Sequence, residues 1–319
     1  MRAVRIREPG EPDVLECVER APPEIAPHSV RVQVVAVGVN RADLMQRRGR
    51  YPAPAGVPAD IPGLEFAGTV IETGPGASRF ALGDPVMGLV AGGGYAEEVV
   101  LHEREAIAVP RTFDLVHAAA VPEVFLTAFD ALTQLDVRAG ERVMIHAVGS
   151  GVGTAAVQLL KWMGAHVVGT SRTVEKLERA RGLGLDEGIH VTDATDFSSK
   201  VEPVHALIDL VGGAYFAESL NCLRPRGRLL IVGLTAGVKA ELSLMEMLRR
   251  RLRVTGTNLR SRPLEEKIHL ARSFEERVAP ALGTALQPVI DRVLPFEQVV
   301  DAHRVLENNE NFGKVLLTW

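Results

Sequence analysis

Residues 146–156 read HAVGSGVGTAA, and the chain changes character across that stretch. Upstream, RVMIHA (142–147) is a near-continuous apolar run, as a strand covered on both faces requires. Downstream, Val152, Ala155, Ala156, Leu159, Leu160 and Met163 recur at helical spacing. Strand, glycine-rich turn and helix thus follow in the order that seats a phosphate on a helix N-terminus. Gly153 fits the position where helix and strand pack closely, Gly149 and Gly151 relax the turn, and Ser150 stands where a middle glycine is usual. A serine there still leaves the amides from Gly151 and Val152 onward to an anion, and its hydroxyl is a further donor to a phosphate or a substrate.

The surrounding sequence gives the turn its context. HVVGT (166–170), ALIDLV (206–211), RLLIVGL (228–234) and RVTGT (253–257) read as buried parallel strands, with amphipathic helices between them. Residues 120–262 are therefore predicted to form a doubly wound parallel sheet, an α/β arrangement. Residues 1–119 differ: they are rich in Pro and Gly, crowded with turns such as YPAPAGVPADIPG (51–63), and alternate apolar and polar in VRVQVVAVGV (30–39), which predicts a β-rich domain. After residue 262 a helical stretch leads to a final strand-like run, KVLLTW, free to return to the first domain.

With 319 residues, 46% of them hydrophobic, the chain is long enough for two cores. A net charge of −4 with both signs interspersed offers no footprint for nucleic acid and no polybasic surface for a membrane. MRAVRIREPG has neither the apolar core of a leader nor that of an anchor, so the cytoplasm is the default location. Cys17 and Cys222 are too few for a disulfide framework or a cysteine-rich metal site and read as reduced, packed thiols.

About 20 residues past the turn, sheets that bind NAD place an Asp or Glu for the ribose 2′-hydroxyl. This chain has GTSRTVEK (169–176), with Glu175 inside the next helix. Ser171, Arg172 and Lys176 offer a hydroxyl and two cations instead, chemistry suited to a 2′-phosphate, and NADPH is the cofactor expected. Gly233 and Leu234, closing the RLLIVGL run, complete the candidate cofactor residues.

Six motifs spread over the whole chain carry a family likeness: NRADLMQRRGRY (40–51), GLEFAG (63–68), GGGYAEEV (92–99), VPEVFLTAFDAL (121–132), SGVGTAA (150–156) and NFGKVLL (311–317). Together they resemble the zinc-free quinone oxidoreductases of the medium-chain dehydrogenase/reductase superfamily, relatives of zeta-crystallin. NRADLMQ with RGRY, and SGVG with its serine, are similar to the subgroup of the tumour-suppressor-inducible quinone reductase. The resemblance implies a GroES-like β-rich catalytic domain split between residues 1–119 and 263–319, around a Rossmann domain at 120–262. It also implies NADPH in the interdomain cleft and a homodimer joined through the edge of the central sheet at RLRVTGTNL (251–259).

Zinc-dependent alcohol dehydrogenases of that superfamily carry a cysteine where Asn40 stands and a histidine where Leu64 stands. Glu65 remains, but one carboxylate makes no tetrahedral zinc site. Without a Lewis acid an alkoxide lacks stabilisation, whereas a quinone delocalises the charge that hydride brings and needs only hydrogen-bond donors. The candidate catalytic residues are Tyr51, Asn40 and Ser150. Tyr51 donates to a quinone oxygen, stacks on its ring, or is a loop tyrosine; Asn40 orients nicotinamide or substrate, or caps a turn with Asp43. His146 reads as a hydrogen-bonded core histidine, Asp209 as the organiser of the loop before Gly212 and Gly213, and Arg249, Arg250, Arg251 and Arg253 as a solvated face. The small-molecule substrate expected is a quinone, with a 2-alkenal or enoyl-thioester reductase and a non-catalytic NADPH-binding protein as the alternatives.

Overall fold

Two short runs near the start pair as an antiparallel ribbon, β1 (Arg2–Ile6) with β2 (Leu15–Glu19). A two-stranded ribbon has too little sheet around it to cover every side chain, and this decides the fate of one cysteine. Cys17 lies exposed on β2, against expectation, while Cys222 is buried; neither is in a disulfide. VRVQVVAVGV extends into β3 (Ser29–Val39), whose second half is buried throughout because strands flank it on both sides. The chain then turns at Asn40 into helix α1 (Arg41–Arg47), with the Asn40 amide donating to the Asp43 carboxylate at 2.8 Å. Strands β4 (Glu65–Thr73), β5 (Pro85–Leu89), β6 (Glu98–His102) and β7 (Ile107–Ala108) follow, then α2 (Leu115–Ala118) and α3 (Pro122–Gln134).

From there the pattern alternates: β8 (Arg142–Ile145), α4 (Gly151–Trp162), β9 (His166–Ser171), α5 (Val174–Arg181), β10 (Glu187–His190), β11 (Val204–Asp209), α6 (Phe216–Asn221), β12 (Leu223–Ile231), α7 (Leu244–Arg250) and β13 (Arg253–Gly256). The strands are parallel in the order β10-β9-β8-β11-β12-β13, the doubly wound sheet expected. β10 went unforeseen because EGIH is four residues long and none of them is fully buried. Met144, Val168, Leu207 and Leu229 are each fully buried at the heart of this layer.

The last segment contributes α8 (Leu264–Arg277), β14 (Ile290–Pro295), α9 (Val299–Glu307) and β15 (Lys314–Thr318). β15 returns to the N-terminal strands and pairs antiparallel with β3, giving a second sheet ordered β14-β15-β3-β4-β5-β7, with β6 also on β3. In the computed structural model, which describes residues 1–111 and 113–319, the chain divides into two units. One is Met1–Leu126 with Leu259–Trp319, a GroES-like body; the other, Thr127–Asn258, holds the parallel Rossmann sheet. Among the described residues no helix is long and apolar enough to cross a membrane.

The arginine run after α7 corrects one expectation. Arg249 is exposed and pairs with Glu246 at 3.1 Å, but Arg250 is largely covered and donates to the carbonyl of Leu220 at 3.0 Å and to that of Leu223. The guanidinium thus ties the Leu220 carbonyl at the end of α6 to the Leu223 carbonyl at the start of β12.

Candidate functional site

In the Rossmann unit, the glycine-rich turn joins β8 to α4. A Cβ on Gly153 would stand 2.3 Å from the Ala147 carbonyl and 2.8 Å from Val148 Cα, so only glycine lets the helix sit this close to its strand. Ser150 is the N-cap of α4, its Oγ accepting from the Gly153 amide at 3.0 Å. The hydroxyl proton stays available for donation, and the amides of Gly151 and Val152 have no acceptor inside the helix. The turn is thus a ready anion cradle.

Lys176 reaches this turn from α5. Its side chain lies across Gly149, where a Cβ would come within 2.7 Å of the lysine Cδ. Ser171, at the end of β9, accepts the Thr173 amide at 3.0 Å, and Arg172 beside it is exposed. A hydroxyl and two cations therefore gather at the end of β9. Gly233 follows β12 so tightly that a Cβ would meet the Leu210 carbonyl at 2.4 Å, and Leu234 next to it is exposed.

Asp209 and His146 have the roles their neighbours impose. Asp209 Oδ1 accepts the amides of Val211 and Gly212, each at 2.8 Å, and fixes the loop that carries Gly212 and Gly213. His146 is fully buried and lies 2.9 Å from Thr170 Oγ1 and 2.8 Å from Ser219 Oγ. Ser219 spends its proton on the Tyr215 carbonyl at 2.7 Å, so His146 donates through Nε2 and accepts the Thr170 hydroxyl at Nδ1. Burial pushes its pKa down to about 4, which makes it a neutral core residue.

In the GroES-like unit, Asn40 sits in a buried polar cluster. The Lys314 ammonium, 3% exposed, contacts Glu65, 0% exposed, at 2.6 Å. It also donates to Asn40 Oδ1 at 2.6 Å and to the Val39 carbonyl at 3.1 Å, which uses all three of its protons. The Asn40 amide nitrogen donates to Glu65 Oε1 at 2.8 Å and to the Gly38 carbonyl at 3.2 Å. Both ends of Asn40 are therefore engaged inside the protein, and Asn40 and Asp43 also close the start of α1 between them. Glu65 Oε2 accepts the backbone amide of Glu123 at 2.8 Å.

Asp43 anchors a second chain of contacts. It accepts from the Asn40 amide at 2.8 Å, the Gly63 amide at 3.0 Å and the Tyr95 hydroxyl at 3.1 Å. Tyr95 in turn lies 3.2 Å from His303 Nε2, and His303 Nδ1 lies 3.1 Å from the Arg47 guanidinium. Tyr95 gives its proton to Asp43, so the hydrogen of His303 is on Nε2 and Nδ1 accepts from Arg47. Burial, with Arg47 alongside, pushes His303 down to about 3, while burial pushes Asp43 up to about 6.

Tyr51 is half-buried and its ring lies under the Arg260 guanidinium, 4.7 Å from ring centroid to Cζ. Arg260 also donates to the Tyr51 carbonyl at 3.2 Å, the Ala91 carbonyl at 2.6 Å and Gln46 Oε1 at 2.7 Å. One buried cation thus fixes the start of the Pro-rich loop and the plane of its tyrosine.

Lys314, Glu123 and Arg260 were missed by sequence reasoning, and Asp43 was seen only as a capping partner of Asn40. Their only local signal is an isolated charge beside or within an apolar run, as in GKVLL or VPEVF.

Comparisons with known proteins agree with both units. Residues 26–111 match the alcohol dehydrogenase GroES-like domain, and residues 151–274 match the zinc-binding dehydrogenase model. The human synaptic vesicle membrane protein VAT-1 homolog is 31% identical over 93% of this chain and 80% of its own length. The 2-haloacrylate reductase of a Burkholderia species is 31% identical over 99% of this chain and 98% of its own. Among solved structures, an NAD-dependent alcohol dehydrogenase superposes with a TM-score of 0.85 at 31% identity, covering 100% of both chains. The Escherichia coli quinone oxidoreductase complexed with NADPH superposes with a TM-score of 0.87 at 26% identity, also over 100% of both chains.

The second family model is named for zinc, and the residues present do not fit that ion. Asn40 and Leu64 supply no soft or anionic ligand, and an ammonium group already neutralises Glu65. Among the described residues no group of three His, Cys, Asp or Glu side chains is placed to hold a metal.

Proposed function

Because the chain belongs to the medium-chain dehydrogenase/reductase superfamily, we propose that it is an NADPH-dependent reductase that delivers hydride to quinones without a metal ion. The observation that carries this reading is Lys314, whose charge stands on Glu65 and Asn40. With the electrophilic help limited to hydrogen-bond donors, an acceptor that delocalises incoming charge is favoured over a simple carbonyl.

In this reading the amides of Gly151 and Val152, in the turn from Gly149 to Gly153, take the pyrophosphate. Ser171, Arg172 and Lys176 take the 2′-phosphate, and Gly233 and Leu234 line the same cofactor. When bound, NADPH supplies the hydride. Tyr51 is the proposed donor to the acceptor in the GroES-like unit, the Ser150 hydroxyl is the proposed donor in the Rossmann unit, and Asn40 holds the Glu65–Lys314 pair in place. The quinone oxidoreductase crystallised with NADPH supports the cofactor and the acceptor. The 2-haloacrylate reductase supports a second reading, reduction of a conjugated alkene such as a 2-alkenal or an enoyl thioester.

NADPH oxidation followed against a panel of quinones, 2-alkenals and enoyl thioesters tests the proposal. Turnover confined to quinones is the expected result; turnover of alkenes alone moves the assignment to the second reading, and none with any acceptor leaves a protein that only binds nucleotide. The proposal includes a homodimer joined along β13, an outer strand of its sheet, and a cytoplasmic location where NADPH is kept reduced.

A further inference from the structure

Among the described residues three cations of the GroES-like unit are buried: Arg47, Lys314 and Arg260, at 0%, 3% and 9% exposure. Two of them have a counter-charge. Arg47 stands on Glu307 and Lys314 on Glu65, as burial of a charge ordinarily demands. Among the described residues no carboxylate lies within ion-pair distance of Arg260, and its hydrogen-bond acceptors are all uncharged: the carbonyls of Ala91, Tyr51 and Pro52 and the side-chain oxygen of Gln46. Against its face lies the Tyr51 ring, 4.7 Å from ring centroid to Cζ, so the electrons of a phenol stand where the other two cations have a carboxylate. Burial lowers the Arg260 pKa from its ordinary value, although Tyr51, Asp43 and Glu123 pull the other way, and the group stays a cation.

The hydrogen bonds of Arg260 account for its place. Nε donates to the segment after β5, one terminal nitrogen to the start of the Pro-rich loop, and the other to Gln46 on α1. Gln46 carries the grip onward, donating to the Ala59 carbonyl at 3.1 Å near the far end of the same loop. They do not account for its charge. Carbonyl and amide oxygens ask only for N–H donors, which neutral side chains also supply. What the guanidinium adds is a buried positive charge, unneutralised at short range, in the immediate surroundings of the Tyr51 ring.

We propose that Arg260 is a positioning residue that tunes the acceptor site at Tyr51 to oxyanions: it fixes the phenol and backs it with positive charge, so the site takes a planar phenolate or enolate in preference to the neutral form. This rests on the reductase reading above, in which Tyr51 donates to the acceptor, and adds a charge to a site whose other help is hydrogen bonding. Reduction of a quinone or conjugated carbonyl places negative charge on its oxygen. A donor backed by a cation strengthens as that charge grows, which favours the reduced, anionic form over the substrate. An arginine suits the task better than a lysine, because its planar fork reaches several acceptors while its face stacks on the ring.

4-Nitrophenol tests this without cofactor, because its anion is coloured and its neutral form is not. Held near the midpoint of its own ionisation, the probe should gain colour when wild-type protein is added, with phenolate bound about tenfold tighter than phenol, a factor that one neighbouring opposite charge supplies. Arg260→Gln keeps a donor and removes the charge, and the two forms should then bind within about twofold of each other. Arg260→Lys keeps the charge without the fork and should restore the preference at lower overall affinity. Tyr51→Phe should weaken phenolate binding about tenfold, which places the anion at the phenol. If Arg260→Gln loses affinity for both forms alike and keeps its preference for phenolate, Arg260 is only a clamp and the proposal is overturned. Unchanged phenolate binding in Tyr51→Phe overturns it too, and so does a wild type that binds both forms alike or neither. If Arg260→Gln does not fold, Arg260→Lys decides: preference kept supports the proposal, and preference lost with the charge in place rejects it. The NADPH oxidation assay keeps the two readings apart. A wild type that reduces quinones without preferring phenolate refutes the role of Arg260 alone, and one that prefers phenolate but reduces no acceptor refutes the reductase reading alone.

Discussion

Gly38 and Glu65 face each other across the pairing of β3 with β4 so closely that a Cβ on the glycine would stand 2.1 Å from Glu65 Oε1. The same Cβ would lie 2.9 Å from Lys314 Cε. The missing side chain is the space in which the ion pair is held. Gly38→Ala should therefore displace Glu65 from its counter-charge and destabilise the GroES-like unit by about 3 kcal/mol, the cost of breaking a buried pair. Urea unfolding followed by circular dichroism measures it, and a loss below about 1 kcal/mol would show that the cluster relaxes freely.

Tyr51→Phe should lower kcat for quinones about tenfold, equivalent to roughly 1.4 kcal/mol, and lower kcat/KM equally. Arg260 grips the Tyr51 carbonyl and stacks on the ring, so the phenylalanine should keep the ring's place and lose only the hydroxyl. Steady-state kinetics with several quinones decide; an unchanged kcat would reduce Tyr51 to a wall of the pocket.

Lys176→Ala should weaken NADPH binding about ten- to a hundredfold, since a charge-assisted contact contributes roughly 1.5 to 3 kcal/mol. NADH has no 2′-phosphate and should bind almost as before. Ser150→Gly is the control, because the turn it alters serves the pyrophosphate common to both cofactors. Fluorescence titrations of both nucleotides separate the outcomes, and equal losses for NADPH and NADH in the lysine variant would remove the basis for NADPH preference. Added salt should narrow the preference as well.

Acid should destabilise the GroES-like unit partly through His303. Its folded pKa, about 3, lies below the ordinary 6.5, so the unfolded chain takes up the proton first and stability drains away as pH falls from 6.5 toward about 3. Asp43 has the opposite sign: raised to about 6 from 3.8, it contributes stability in acid that is lost as pH rises through that window. His303→Gln preserves a donor for Tyr95 and an acceptor for Arg47 but cannot titrate. Its stability should fall less steeply than the wild type's between pH 6.5 and 4, by up to about 1.4 kcal/mol per pH unit. Parallel slopes in urea titrations across that range would exonerate the histidine.

Leu244, Met245 and Leu248 on α7 are 77%, 68% and 75% exposed, on the segment that leads into outer strand β13. If that edge joins two copies, Leu244→Glu with Leu248→Glu should halve the sedimenting mass without changing the circular dichroism. A wild type that already sediments as a monomer would rule out this interface.

The parallel sheet was legible because its strands are apolar runs and its helices repeat at their own period, signals that lie within a dozen residues. The glycine turn was legible for the same reason, since strand, turn and helix are contiguous. β10 was not, because EGIH has too few apolar residues to stand out. The Glu65–Lys314 pair was invisible for a different reason: its members are 249 positions apart, and neither residue type predicts burial on its own. Asn40 was singled out because it stands where zinc-dependent relatives carry a cysteine, but one sequence does not reveal that both ends of its amide are taken up by Glu65, Gly38 and Lys314. Tyr51 was found on the loop, whereas the arginine that fixes it comes from a segment 209 residues later.

That separation has a temporal side. At about 5 to 20 residues per second, Glu65 emerges from the ribosome roughly 10 to 50 s before Lys314 is made. Throughout that interval its carboxylate has no counter-charge to be buried with, and β3 lacks its neighbour β15. The parallel sheet is under no such delay, for Thr127–Asn258 is one uninterrupted segment with every strand in hand before β15 exists. Synthesis thus sets an order of assembly in which the nucleotide-type sheet is complete while the polar cluster of the other unit is still waiting for its cation.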